Sequence, residues 1–133
     1  MRTFIDSGVL IAAWRGEPAQ KIKALTVLSD MNREFISSPF VQLEVLPKAN
    51  WFGNKAEIAF YQQFFSKVYE WVTDCDYLVD EALNNIANRY GLGAVDALHI
   101  AAALDAKSDE FITSERTTSP LLRVRGIVIK TIA

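Results

Sequence analysis

The sequence predicts an α/β fold: a mainly parallel central sheet with helices on both faces. Three observations carry that expectation. Short runs rich in β-branched and aromatic residues alternate with segments of helical character, the order that builds a parallel sheet through crossover helices. Ala94–Ala106 is apolar almost all round, as a central, buried helix must be. The 133 residues, half of them apolar and 23% charged, suit one domain over residues 1–133 with one core.

The elements follow in order. Thr3–Ile5 reads as a first strand, and Ser7–Trp14 as a helix or helical turn that starts at Asp6-Ser7. Pro18 suits the first turn of a helix over Ala19–Asp30, because its missing N–H is not needed there. Glu34–Ser37 is a second strand. Ser38-Pro39 then supplies an N-cap and a first-turn proline for a helix over Pro39–Leu46, expected to stop near Pro47. Asn54–Val68 is amphipathic through Ile58, Tyr61, Phe65 and Val68, so its aromatic face is expected in the core. Tyr69–Val72 is a third strand. Asp74 or Asp76 caps a helix that runs to Tyr90, with Gly91 in place to end it. Glu110–Thr113 and Gly126–Ile132 complete the sheet, joined by a short segment with Pro120-Leu121-Leu122.

Composition excludes several classes of function. The formal net charge is −2, so binding to a polyanion has to rest on local clusters of Lys and Arg. The single cysteine, Cys75, rules out an intramolecular disulfide, and its acidic neighbours Asp74 and Asp76 disfavour a reactive thiolate. One His and one Cys do not supply the ligands of a structural zinc site, so a metal here is expected to be held by oxygen. Met1-Arg2-Thr3-Phe4 lacks a secretory leader's apolar segment, and no run approaches the ~18 apolar residues of a membrane span. A cytoplasmic protein that does not engage a membrane is the expectation. Neither a P-loop nor a Gly-x-Gly-x-x-Gly fingerprint is present.

Three acids stand where apolar residues are expected. Asp6 ends the first strand, Glu44 interrupts Phe40–Leu46, and Asp96 precedes Ala97–Leu104. Glu115 follows the strand Glu110–Thr113. Strand ends and helix starts on one edge of a parallel sheet face a common crevice, where ligands of such folds bind. Carboxylates gathered there repel one another, and a divalent cation removes the conflict. Mg²⁺ or Mn²⁺ suits such a site, being satisfied by a few carboxylates, waters and phosphate oxygens. Metal-assisted phosphodiester hydrolysis is the reaction class that fits. Each acid also has an ordinary reading: Asp6-Ser7 as a helix cap, Glu44 on a solvated helix face, Asp96 as a first-turn acid, and Glu115 in a polar turn.

Phe4-Ile5-Asp6-Ser7, the acid of Val41-Gln42-Leu43-Glu44-Val45, and Asp96-Ala97-Leu98-His99 leading into an alanine-rich helix together resemble the PIN-domain nucleases. Asp109-Glu110-Phe111-Ile112-Thr113-Ser114-Glu115-Arg116 is similar to that family's final acidic motif. Among its members the chain most resembles the bacterial toxins of VapC type, over essentially its whole length in motif order and spacing. The resemblance implies a Rossmann-like sheet, Mg²⁺- or Mn²⁺-dependent RNA cleavage, frequent homodimerisation, and an antitoxin protein covering the acidic crevice. It maps Asp6, Glu44 and Asp96 onto the metal-binding acids. The fourth position departs from the family's usual Thr-x-Asp, because Thr113-Ser114 is followed by Glu115. That leaves open whether one metal or two are held. Ser7 and Thr113 are expected to cap turns through their hydroxyls, with orientation of a carboxylate or a water as the alternative.

His99 lies one turn beyond Asp96 on the same helical face; a structural hydrogen bond is its expected role, with a general base as the alternative. Arg15, Lys21 and Lys23 near the first crossover, with Arg116, Arg123 and Arg125 near the end, are the candidate phosphate contacts, with solubility as the ordinary reading of each. Trp14 and Trp51 are expected in core or dimer packing, with base stacking as the alternative. Two other functions compete: a PIN-like binding or regulatory protein with little catalysis, and phosphoryl transfer to an aspartate. The second lacks support beyond Asp6, since the further Asp that haloacid-dehalogenase-like phosphatases carry would fall at Gly8.

Overall fold

The computed structural model describes Met1–Ala133. Five strands form one all-parallel sheet: β1 (Arg2–Ile5), β2 (Glu34–Ser37), β3 (Glu70–Trp71), β4 (Glu110–Thr113) and β5 (Val128–Thr131), in the order β3-β2-β1-β4-β5. β1 is central, with Phe4 paired to Ile36 of β2 on one side and to Phe111 of β4 on the other. The Phe4 and Phe111 rings stack at 5.3 Å, and all of Thr3–Ile5 and Glu110–Thr113 is buried. From β1 the chain passes to β2 on one side, while β4 lies on the other. This change of direction opens a crevice at the carboxyl ends of β1 and β4.

The helices are α1 (Ser7–Arg15), α2 (Pro18–Leu28), α3 (Pro39–Trp51), α4 (Lys55–Ser66), α5 (Cys75–Glu81), α6 (Asn88–Tyr90) and α7 (Ala94–Asp105). Their signals act as the residues dictate. The Ser38 hydroxyl accepts from the Phe40 N–H, and the Asp74 carboxylate from the Tyr77 N–H. Gly91 ends the α5–α6 run at φ 68°, in the left-handed region that glycine enters without strain. Ala97, Ile100, Ala101, Ala102 and Ala103 of α7 are buried, so small side chains let this helix sit close to the sheet. Tyr61, Phe64 and Phe65 of α4 enter the core as their spacing requires.

Three expectations need correcting. The helix expected over Pro39–Leu46 continues through Pro47 to Trp51. Pro47 and Leu43 both lie on the solvent side, so water can satisfy the Leu43 carbonyl that the proline leaves without an N–H partner. The helix from Asp74 to Tyr90 is interrupted by a π-helical segment, Ala82–Ala87. Trp51 is 84% exposed and so is no core residue, whereas Trp14 packs on Phe60 at 5.6 Å.

The amino edge of the sheet is fastened by charge. Glu110 is buried and takes bonds from Thr3 and Arg33, with Lys130 Nζ at 2.7 Å. Burial pushes its carboxyl up, but Arg33, Lys130 and Thr3 outweigh that and hold it at about 2. This network lies at the opposite end of β4 from the crevice, so the strand is pinned away from the site. No helix is long and apolar enough to cross a membrane.

Candidate metal centre

Asp6 is delivered to the crevice by the last bond of the sheet. Its N–H donates to the Ile112 carbonyl at 2.9 Å, which extends β1–β4 pairing by one residue. Asp6 then occupies the N-cap position of α1 with extended backbone, yet its side chain caps nothing. The plain capping reading therefore fails. The carboxylate instead accepts at Oδ2 from Thr113 Oγ1 at 2.8 Å, so the last residue of β4 orients the acid that follows β1.

Glu44 arrives from α3, the crossover after β2. Ser7 Oγ donates to its Oε1 at 2.7 Å, and His99 Nε2 stands 2.5 Å from the same oxygen. His99 Nε2 is also 3.8 Å from Asp6 Oδ1, beyond hydrogen-bond distance. Ligand-capable atoms of Asp6, Glu44 and His99 thus all lie within 4.8 Å of one another. Each carboxylate has one oxygen held by protein donors. The other, Asp6 Oδ1 or Glu44 Oε2, carries no protein hydrogen bond.

Asp96, half-buried in the first turn of α7, lies outside that 4.8 Å group, but near enough for charge to act between it and both Asp6 and Glu44. The electrostatics show how closely these groups are coupled. Burial, with the nearby charges of Asp96 and Glu44 adding to it, pushes the Asp6 carboxyl up to about 6, against the pull of His99 and Thr113. Asp96 is also raised, by burial and then by Glu44, with His99 opposing. Glu44 moves the other way, lowered chiefly by its bond with His99. Asp6 and Asp96 thus stay raised in spite of His99, and the unbonded carboxylate oxygens of the crevice are the donors that a hard divalent cation takes. The donor set fits Mg²⁺ or Mn²⁺.

Glu115 is not drawn into this group. It is exposed, two residues past the end of β4, and makes no side-chain hydrogen bond to Asp6, Glu44 or Asp96. Its backbone N–H donates to Thr113 Oγ1 at 3.1 Å, so the turn is fixed while its carboxylate stays in water. Arg116 beside it is likewise exposed. Arg15 pairs through Nη2 with buried Glu57, which also accepts from Tyr61 and Asn54. Arg15 still lines two clefts, one with Glu44 and one with Gly8 and Ser114.

Lys48 is a residue that sequence reading missed. It shares a cleft with Glu44 and Arg15, one turn beyond Glu44 on α3. The spacing of four was visible, but a helix ending at Pro47 hid it. The contact of His99 with Glu44, rather than with Asp96 alone, was also not readable, since it joins α7 to α3 across the crevice.

Comparison with known proteins places this architecture. The family model for the PIN domain matches residues 3–119. The fold is shared with VapBC2 from Rickettsia felis bound to a promoter DNA fragment (TM-score 0.72, 16% identity, 98% of each chain covered). It is also shared with a toxin–antitoxin complex from Klebsiella pneumoniae (0.69, 17%, 95% of each). DNA-bound VapBC from Salmonella typhimurium is similar too (0.71, 14%, 100% of this chain and 99% of that one). No curated protein matches the sequence. With the family model spanning most of the chain and the acidic crevice at the carboxyl edge of its parallel sheet, this chain belongs to the PIN domain family.

Proposed function

We propose that this chain is a metal-dependent endoribonuclease, the toxin of a type II toxin–antitoxin pair. The observation that carries the reading is the convergence of Asp6 and Glu44 from separate crossovers, each with one oxygen fixed and one unbonded, beside the half-buried Asp96. Asp6, Glu44 and Asp96 would hold Mg²⁺ or Mn²⁺. When bound, such an ion neutralises the crowded carboxylates and polarises the scissile phosphate for attack by water.

The chain's own groups supply orientation and binding. Thr113 orients Asp6, and Ser7 together with His99 holds Glu44, so neither acid has to be ordered when substrate arrives. Lys48 and Arg15, which share a cleft with Glu44, serve as phosphate contacts, with the exposed Arg116 as a third. Glu115 is assigned a part through an intervening water, for its side chain reaches none of the other acids. The neighbours include a complex described as toxin–antitoxin, which supports an antitoxin as partner. A homodimer is supported by an apolar cleft lined by Val79, Leu83, Ala94 and Leu98. A cytoplasmic location accords with an RNA substrate.

The test is direct. Purified protein with Mg²⁺ or Mn²⁺ is expected to cut RNA, and chelation or Asp6→Asn to reduce the rate at least ~100-fold, as loss of a metal-holding group should. Undiminished cleavage after both changes would sink the mechanism. The exposed, unconnected Glu115 favours a second reading, a PIN-like nucleic-acid-binding or regulatory protein with weak catalysis. Tight Mn²⁺ binding together with RNA cleavage would exclude it.

A further inference from the structure

His99 has a ring nitrogen within the ligand cluster, and a count of donor atoms alone would make it a ligand. We propose instead that His99 is a positioning residue for Glu44: its Nε2–H holds Oε1 so that Oε2 faces the cation, and the imidazole stays off the metal. This rests on the metal centre proposed above.

The far side of the ring distinguishes the two roles. His99 is fully buried, and its Nδ1 has no hydrogen-bond partner. A histidine that ligates through Nε2 carries its proton on Nδ1, where a carboxylate, carbonyl or water almost always accepts it. Here that proton would be buried and orphaned, the costly arrangement for a donor. With the proton on Nε2 the ring instead donates at 2.5 Å to Glu44 Oε1, and only a lone pair is left without a partner. The hydrogen-bond network thus assigns the Nε2–H tautomer.

The fold explains why Glu44 needs such a partner. Its side chain is 35% exposed and would otherwise swing into solvent. Ser7 gives it one bond through a hydroxyl that can rotate. His99 adds a second on the same oxygen, from a fully buried ring that is tilted against Phe4 at 5.9 Å. Donors on α1 and α7 therefore clamp a carboxylate carried by α3.

The chain's only histidine makes the test clean. Untagged wild type, His99→Gln and His99→Phe are titrated with Mn²⁺ by calorimetry. Gln keeps an N–H donor near the place of Nε2, while Phe keeps the ring and removes the donor. Phe is expected to weaken Mn²⁺ binding by about 10–100-fold, the usual effect of losing a group that orients a ligand, and Gln by less than about 3-fold. Pulsed electron paramagnetic resonance of the wild-type Mn²⁺ complex should show no directly bonded nitrogen, and ¹⁵N spectra of the metal-free protein should show the proton on Nε2. A directly bonded nitrogen, a proton on Nδ1, unchanged affinity in the Phe variant or loss in both variants overturns the assignment. If the Phe variant does not fold, the spectra and the Gln variant still decide. Wild type that binds no Mn²⁺ overturns the metal centre itself and this inference with it, whereas the other adverse results overturn this inference alone.

Discussion

Asp6 shows most clearly how burial is put to use. Its carboxyl is pushed from 3.8 up to about 6 by burial, with Asp96 and Glu44 adding repulsion. The folded value lies above the unfolded one, so between about pH 4 and 6 the native state binds more protons than the unfolded chain. The contribution of Asp6 to stability is therefore full below the unfolded value and lost as pH rises through about 6. Glu44 acts in the opposite sense at lower pH, since its folded value is depressed by His99 and its contribution is lost as pH falls through that value. In chelator, Asp6→Asn should stabilise the protein at pH 7 by on the order of 1–3 kcal/mol and flatten the pH dependence of unfolding between 4 and 7. Added Mn²⁺ should then stabilise wild type and not the variant. Thermal melts across that pH range check it; a variant less stable than metal-free wild type at pH 7 would show that the repulsion is not there.

At the scale of elements, the sequence carried most of what positions the site, and its failures have physical causes. Glu34–Ser37 and Glu110–Thr113 are legible because short β-branched and aromatic runs bounded by polar residues leave little choice. Asp6, Glu44 and Asp96 were legible because each breaks an apolar run. The end of α3 was misread because Pro47 breaks a buried helix but only perturbs a solvent-facing turn, and exposure is not visible in sequence. The π-helical Ala82–Ala87 segment has no sequence signal of its own. The misread end has a functional consequence, because the extra turn brings Lys48 alongside Glu44. Lys48→Ala should raise KM for RNA several-fold, leave kcat within about 2-fold, and reduce the salt dependence of binding by about one unit of log–log slope. It is exposed and makes no ion pair, so the melting curve should not move. Steady-state kinetics at two salt concentrations is the check, and an unchanged KM would remove Lys48 from the RNA path.

The whole molecule divides its labour between the two ends of the sheet and one flank. The amino edge is locked by Glu110 with Arg33, Thr3 and Lys130, and the carboxyl edge holds the acidic crevice at the point where the chain changes direction beside β1. On the flank, α5, the π-helical segment and α7 enclose the cleft lined by Val79, Ala82, Leu83 and Leu98. Around it Leu83 is 67% exposed, Val79 50% and Val95 38%. Side chains of that size gathered on one flank are the ground for the homodimer proposed above. With a net charge of only −2, little repulsion opposes pairing of like chains, and two-fold dimers are the commonest closed assembly. Val95 precedes Asp96 directly, so a partner on this flank would also buttress the turn that presents the third acid. Leu83→Glu should therefore convert a dimer to a monomer of 14.9 kDa by sedimentation velocity, without lowering the melting temperature of the isolated fold, because the substituted side chain lies in water there. Weaker Mn²⁺ binding in the monomer would tie the flank to the crevice. Wild type that already sediments at 14.9 kDa at tens of micromolar would refute the dimer and leave the apolar flank to another partner.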